Sequence, residues 1–207
     1  MKSLDDYTDP FDAIKEFEHL LQEYTGASHA IVTDCCTHAI EIALRIRKPE
    51  KLVFPNKTYL SVIMLMHKID IKYELIDKSW FEERRYHLQG SDIWDCARYF
   101  RADMFQPGEV QCLSFNRGKP LAIGRGGAIL TDDADLAARA NRMRYDGRDI
   151  FQYKNWPEQQ NFEVGYHYYL RPEDCVMGID LLRSGHIIPQ PLSVFNYPDC
   201  RAIKIVP

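Results

Sequence analysis

Short apolar strands alternate with amphipathic helices along most of the chain, and this alternation restricts it to an α/β architecture. The first helix is marked at both ends: Asp9 can cap it, Pro10 suits its first position and Gly26 follows its end. Between them Phe11, Ile14, Phe17, Leu20, Leu21 and Tyr24 recur at helical spacing. Ala30–Thr33 reads as a strand, and a helix is expected from near Thr37, carrying Ile40, Ala43, Leu44 and Ile46. Lys51–Phe54 reads as a strand stopped by Pro55, Tyr59–Lys68 as a helix and Lys72–Ile76 as a strand. Asp92–Asp95, Val110–Phe115 and Gly127–Thr131 follow as strands, and Asp132 or Asp133 can cap a helix running through Arg144. Beyond Asp146 the pattern weakens, and the tail from Gly185, with Pro189, Pro191, Pro198 and Pro207, reads as irregular. The expectation is a mostly parallel central sheet, with residues 1–184 as the folded domain and 185–207 as a Pro-rich tail.

Composition narrows the function classes. The 207 residues are 45% hydrophobic and 27% charged, with a mean hydropathy of -0.38, as in ordinary globular proteins. No apolar run reaches the ~18 residues of a membrane span. The start Met1–Asp6 lacks the apolar stretch of a secretory leader, so a cytoplasmic location is expected. A net charge of -4 argues against nucleic acid as a partner. The six cysteines, Cys35, Cys36, Cys96, Cys112, Cys175 and Cys200, form no C-x-x-C pair, so they read as reduced, mostly buried thiols and no metal site is expected.

In parallel α/β sheets ligands sit beyond the carboxyl ends of the strands. Four loops are placed there: Asp34–His38, Pro55–Tyr59, Asp95–Arg98 and Ser114–Gly127. Lys119 follows a strand and precedes a glycine-rich turn, where a partly enclosed amine can act as a nucleophile; a solvated surface lysine is the plainer alternative. Asp95 can orient a cationic ring nitrogen, or simply cap the segment that starts at Cys96. Thr37 and His38 open a helix after a strand, a place where phosphate accepts backbone N–H groups and a hydroxyl, or where threonine merely caps. Tyr59 can stack on a planar ligand or fill the core.

Taken in order, these segments resemble the DegT/StrS family of sugar aminotransferases, pyridoxal-phosphate enzymes of fold type I. Asp34-Cys35-Cys36-Thr37-His38-Ala39-Ile40 is similar to the family's S-S-G-T-A-A-L turn, and Pro55-Asn56-Lys57-Thr58-Tyr59 to P-x-x-T-F. Trp94-Asp95-Cys96-Ala97 is similar to E-D-A-A, Ser114 to Gly127 to S-F-H-x-x-K-x-x-x-x-G-E-G-G, and Gly165-Tyr166-His167-Tyr168 to G-Y-N-Y. The likeness runs from Phe11 to Leu182. It implies a three-layer large domain, with the small C-terminal domain absent and a strand–helix unit missing between Asp77 and Ser91.

The resemblance also implies roles. Lys119 would join the cofactor covalently and shuttle protons, and Asp95 would face the pyridinium nitrogen. Ser114 and Thr37 would hold the phosphate with the amides of Cys36 and His38, while Tyr59 would stack on the ring. Arg98 stands where the family has a glutamine at the ring hydroxyl, Cys36 where it has glycine and Arg125 where it has glutamate. His167 would reach the phosphate of the second subunit of a homodimer. The implied activity is transfer of an amino group, from glutamate, to a keto sugar carried on a nucleotide. The alternative is a catalytically impaired homologue that binds a nucleotide sugar or a protein.

Overall fold

The computed structural model describes residues 2–153, 155–191 and 196–205. Helix α1 (Asp12–Thr25) buries Ala13, Ile14, Phe17 and Leu21 on one stripe and ends at Gly26, which takes the left-handed φ of 80° that closes the last turn. It starts later than expected. Asp9 Oδ1 accepts from the Phe11 N–H, so Asp9 and Pro10 form a turn ahead of the helix, and Phe11 is the capping residue. Then come β1 (His29–Thr33), α2 (Cys36–Arg47), β2 (Lys51–Pro55), α3 (Leu60–Lys68) and β3 (Lys72–Ile76). A short strand β4 (Tyr86–His87) precedes β5 (Ile93–Asp95), β6 (Val110–Ser114), β7 (Gly127–Thr131), α4 (Ala134–Met143) and α5 (Pro172–Arg183).

The central sheet has the order β1-β7-β6-β5-β4. It is mixed, not mostly parallel as the alternation predicted. Only β5 and β6 run parallel, whereas β1–β7, β6–β7 and β4–β5 are antiparallel. The cause lies in the connections. A parallel return needs a crossover, usually a helix, and loop 115–126 contains none, so β7 turns straight back along β6. Strands β2 and β3 pair in parallel as a separate ribbon. That ribbon meets the central sheet at Val53 and Gln89, whose N–H and C=O groups exchange bonds of 2.9 Å in both directions. The hairpin of β4 and β5 therefore bridges the two sheets in the segment where a strand–helix unit was expected to be missing.

Alternation along the strands feeds two cores. Ile31, Cys112 and Ile129 join α2, α3 and α4 on one face. Ala30, Val32, Leu113, Ala128 and Leu130 join α1 and α5 on the other. Helix α5 lies where the sequence pattern weakened. Its interior Gly178 lowers the helical signal, yet a Cβ there would lie 2.6 Å from the Phe17 ring, so the glycine lets α1 approach. A buried ion pair ties this face together. Arg144, at the end of α4, meets Glu18 of α1 and also donates to the Val32 carbonyl at 2.6 Å. Beyond Gly185 the described residues hold only a short 3-10 turn, Cys200–Ala202, and the buried Cys200 N–H donates to the Asn56 carbonyl at 2.9 Å. Pro207 and residues 192–195 of the expected tail lie outside the described residues. No helix among the described residues is long and apolar enough to cross a membrane.

Candidate active site

All four loops singled out in the sequence border one cavity of ≈ 380 Å³. Its lining includes Cys36, Thr37, Tyr59, Asp95, Arg98, Ser114 and Lys119. His38 and His167, also expected at the site, are not among its lining residues. A second cavity of ≈ 450 Å³ lies among Leu44, Arg45, Ile69, Ile71 and Val164 and contains none of the expected residues.

One side of the cavity is the first turn of α2. Cys35 precedes the helix, and its Sγ accepts the His38 N–H at 3.4 Å, a weak cap that leaves the helix's amino end rich in N–H groups. Thr37 Oγ1 and Ser61 Oγ lie 2.7 Å apart, joining α2 to α3, and both residues line the cavity. Gly127 brings β7 against this turn, since a Cβ there would lie 2.5 Å from the Cys36 nitrogen. Cys36 is buried, and burial pushes its thiol well up, so it stays neutral.

His38 turns away from the cavity. Its ring stacks on Tyr168 with centroids 3.6 Å apart, and its Nδ1 is 2.6 Å from Asp34 Oδ1. Burial works against its charge, but Asp34 and Cys35 outweigh it and raise the imidazole to about 9. The second Asp34 oxygen accepts from Arg125 at 2.9 Å. The ligand atoms of Asp34, Cys35 and His38 all lie within 4.8 Å of one another, a grouping the C-x-x-C reading passed over.

The opposite side carries Asp95 at the end of β5. It is 6% exposed; its Oδ1 accepts the Ala97 N–H at 2.9 Å, and its Oδ2 accepts from the Tyr86 hydroxyl at 2.8 Å. The capping alternative was thus half right: Asp95 caps a turn with one oxygen while lining the cavity. Burial raises its carboxyl above the usual range, and the Ala97 amide, Tyr86, Lys119 and Arg98 pull it partly back.

Lys119 is half-buried in the loop after β6. Burial lowers its amine, the Arg98 guanidinium lowers it further, and Asp95 and Cys36 act the other way. A lysine amine lowered in this way holds its proton less tightly than a solvated one, which suits a nucleophile. Arg98 is held by Tyr197 Oη at 3.0 Å, Gln190 Oε1 at 2.7 Å and the Gly118 carbonyl at 3.3 Å. Tyr59 caps α3 and is 61% exposed at the cavity mouth. The His167 side chain is 70% exposed, with Nδ1 3.3 Å from Asp146 Oδ2.

Sequence reasoning missed Tyr86, Ser61 and Tyr197, which also line the cavity. Ser61 sits in the first turn of a predicted helix beside a predicted loop, so it could have been found. Tyr86 and Tyr197 come from stretches without periodicity. The arrangement suits a ligand with an anionic end at the amino end of α2 and a cationic group against Asp95. An electrophilic carbon would lie near Lys119.

The sequence model of the DegT/DnrJ/EryC1/StrS aminotransferase family matches residues 4–78 and 99–184. A UDP-4-amino-4,6-dideoxy-N-acetyl-beta-L-altrosamine transaminase of Campylobacter jejuni serotype O:2 is 24% identical over 231 residues, covering 90% of this chain and 61% of that protein. Helicobacter pylori PseC, an aminotransferase involved in the biosynthesis of pseudoaminic acid, superposes with a TM-score of 0.66 at 13% identity, covering 83% of this chain and 57% of that one. A DegT DnrJ EryC1 StrS aminotransferase from Brucella abortus superposes with a TM-score of 0.64 at 19% identity, covering 83% and 59%. The chain thus spans about three fifths of the length of these relatives. On the family match, which takes in the α2 turn and the Lys119 loop, this chain belongs to the DegT/DnrJ/EryC1/StrS aminotransferase family.

Proposed function

We propose that the protein is a pyridoxal-5'-phosphate-dependent aminotransferase that moves an amino group from glutamate to a keto sugar carried on a nucleotide. The observation that carries this reading is the convergence of Lys119, Asp95 and the hydroxyl-lined amino end of α2 on one cavity. The residues fit the cofactor. The N–H groups of α2 with Thr37 and Ser114 would hold its phosphate, and Gly127 leaves room for that turn to sit close to the sheet. Asp95 would face the ring nitrogen, Tyr59 would cover the ring, and Arg98 would stand at the ring hydroxyl. When bound, the cofactor supplies an electron sink for the carbon that loses and gains the proton.

The protein's own part is positioning and proton transfer. Lys119, its amine lowered by burial and by Arg98, would take a proton and return it. Asp95, held by the Tyr86 hydroxyl and the Ala97 N–H, is oriented where a cationic ring nitrogen would lie. Arg117 and Arg125 also line the cavity and suit the diphosphate of a nucleotide sugar. A transaminase of a UDP-linked sugar among the relatives supports this substrate class.

The same proposal takes residues 1–184 as a large domain and 185–207 as an irregular Pro-rich tail whose Gln190, Tyr197 and Cys200 pack against it, in a cytoplasmic homodimer. Six free thiols suit a reducing compartment. Outward-facing His167 and the exposed Tyr59, Leu60 and Met64 suit a second copy at the cavity mouth. The competing reading, a binding homologue without catalysis, draws on Arg98, whose ties to Gln190 and Tyr197 wall the cavity beside Lys119. One experiment separates them. Protein loaded with pyridoxal phosphate and given glutamate should release one equivalent of 2-oxoglutarate per site, and release no greater than from Lys119→Ala would reject the enzyme reading.

A further inference from the structure

Tyr86 lies in the β4–β5 hairpin, between the two stretches matched by the family. It is buried, and its hydroxyl donates to Asp95 Oδ2 at 2.8 Å. The same hydroxyl oxygen is 2.5 Å from Thr58 Oγ1. A phenol carries one proton. With that proton given to Asp95, Thr58 must be the donor to Tyr86, which fixes the direction of a chain from Thr58 through Tyr86 to Asp95. The backbone sets the reach: Tyr86 and Asp95 face each other across the β4–β5 pairing. The Trp80 ring, 5.0 Å away, packs against the Tyr86 ring. The other carboxylate oxygen is held by the Ala97 N–H at 2.9 Å.

We propose that Tyr86 is the positioning residue for Asp95: its hydroxyl, backed by Thr58, holds the carboxylate as an oriented anion at the cavity wall. Burial alone would favour the neutral acid. A neutral Asp95 would leave a cationic ring nitrogen unmatched, so the hairpin supplies what the site needs at this point. Lys119 and Arg98 also act on Asp95, through their charge, and Tyr86→Phe leaves both residues in place. The neighbouring thiols of Cys36, Cys96 and Cys112 are pushed up by burial and stay neutral. The role of Asp95 toward a ring nitrogen rests on the cofactor reading above. The state of its carboxylate does not, because it belongs to the unliganded protein.

The test is a carbon-13 NMR titration of aspartate-labelled, cofactor-free protein, with Asp95→Asn identifying the resonance. Tyr86→Phe keeps the ring and removes the hydroxyl. Losing a hydrogen bond to a charged group should raise the Asp95 midpoint by about one pKa unit or more. Thr58→Val should raise it by less. A purely structural Tyr86 would leave the midpoint unmoved in folded Tyr86→Phe, and that result overturns the proposal. If Tyr86→Phe does not fold, an unmoved midpoint in Thr58→Val overturns it instead. A separate arm treats wild-type protein with pyridoxal phosphate and borohydride. Absence of an adduct there rejects the cofactor reading alone, whatever the titration gives.

Discussion

His38 gives the sharpest quantitative handle on the α2 turn. Its imidazole is raised from 6.5 to about 9 in the folded protein, with Asp34 Oδ1 at 2.6 Å as a counter-charge. The amino end of a helix disfavours a cation, so the rise comes from Asp34, the larger influence, together with Cys35. A folded-state value above the unfolded one means that the stabilisation is fully present below 6.5 and is lost as pH rises through about 9. At about 1.36 kcal/mol per pKa unit, that rise corresponds to an upper bound of roughly 3.4 kcal/mol. The His38 side chain is 25% exposed, and solvent screening reduces the figure to roughly 1.5–2 kcal/mol. The perturbation is His38→Gln, which is neutral at every pH. The assay is urea unfolding of both proteins at pH 5.5, 7.5 and 9.5. The stability difference between wild type and variant should shrink by that amount across the range, chiefly between 6.5 and 9. A difference that stays flat, or a His38 ring that titrates near 6.5 by NMR, refutes the argument.

Three further outcomes follow from the same geometry. Glu18→Gln leaves Arg144, fully buried, without its counter-charge, and should cost about 3–5 kcal/mol in urea unfolding; a loss below about 1 kcal/mol contradicts the pairing. Gly127→Ala places a methyl 2.5 Å from the Cys36 nitrogen, so it should cost about 1–3 kcal/mol and weaken pyridoxal-phosphate retention in equilibrium dialysis; unchanged retention counts against α2 as the phosphate seat. Sedimentation of cofactor-treated protein at micromolar concentration should give a dimer, and monomer alone would remove the proposed role of His167 across an interface.

Element type and order were legible from apolar periodicity: β3 and β7 fall at the expected bounds, and α2, α3 and α4 differ only at their ends. Strand direction was not legible, because it depends on whether a connection crosses the sheet or turns back, and loop 115–126 turns back. Helix α5 was hidden because Gly178 serves α1's Phe17 instead of helix propensity. At the site, strand-end loops pointed correctly to the cavity, since every such loop borders it. The His38 side chain points at Tyr168, because one residue along a helix turns a side chain by roughly 100°, whereas the role expected at the phosphate was that of its backbone amide. Tyr86 was invisible because its importance comes from cross-strand pairing with Asp95, a contact that no local pattern announces. Tyr197 and Gln190 reach Arg98 from the far end of the chain, and a Pro-rich tail has no periodicity to reveal it.

The central claim is that Lys119 is the amine that takes the cofactor. Its most direct test is borohydride reduction of the pyridoxal-phosphate-treated protein, followed by peptide mass mapping. The account predicts one phosphopyridoxyl group per chain, on the peptide containing Lys119, and its loss in Lys119→Ala. Labelling spread over surface lysines, or none at Lys119 at saturating cofactor, would contradict it.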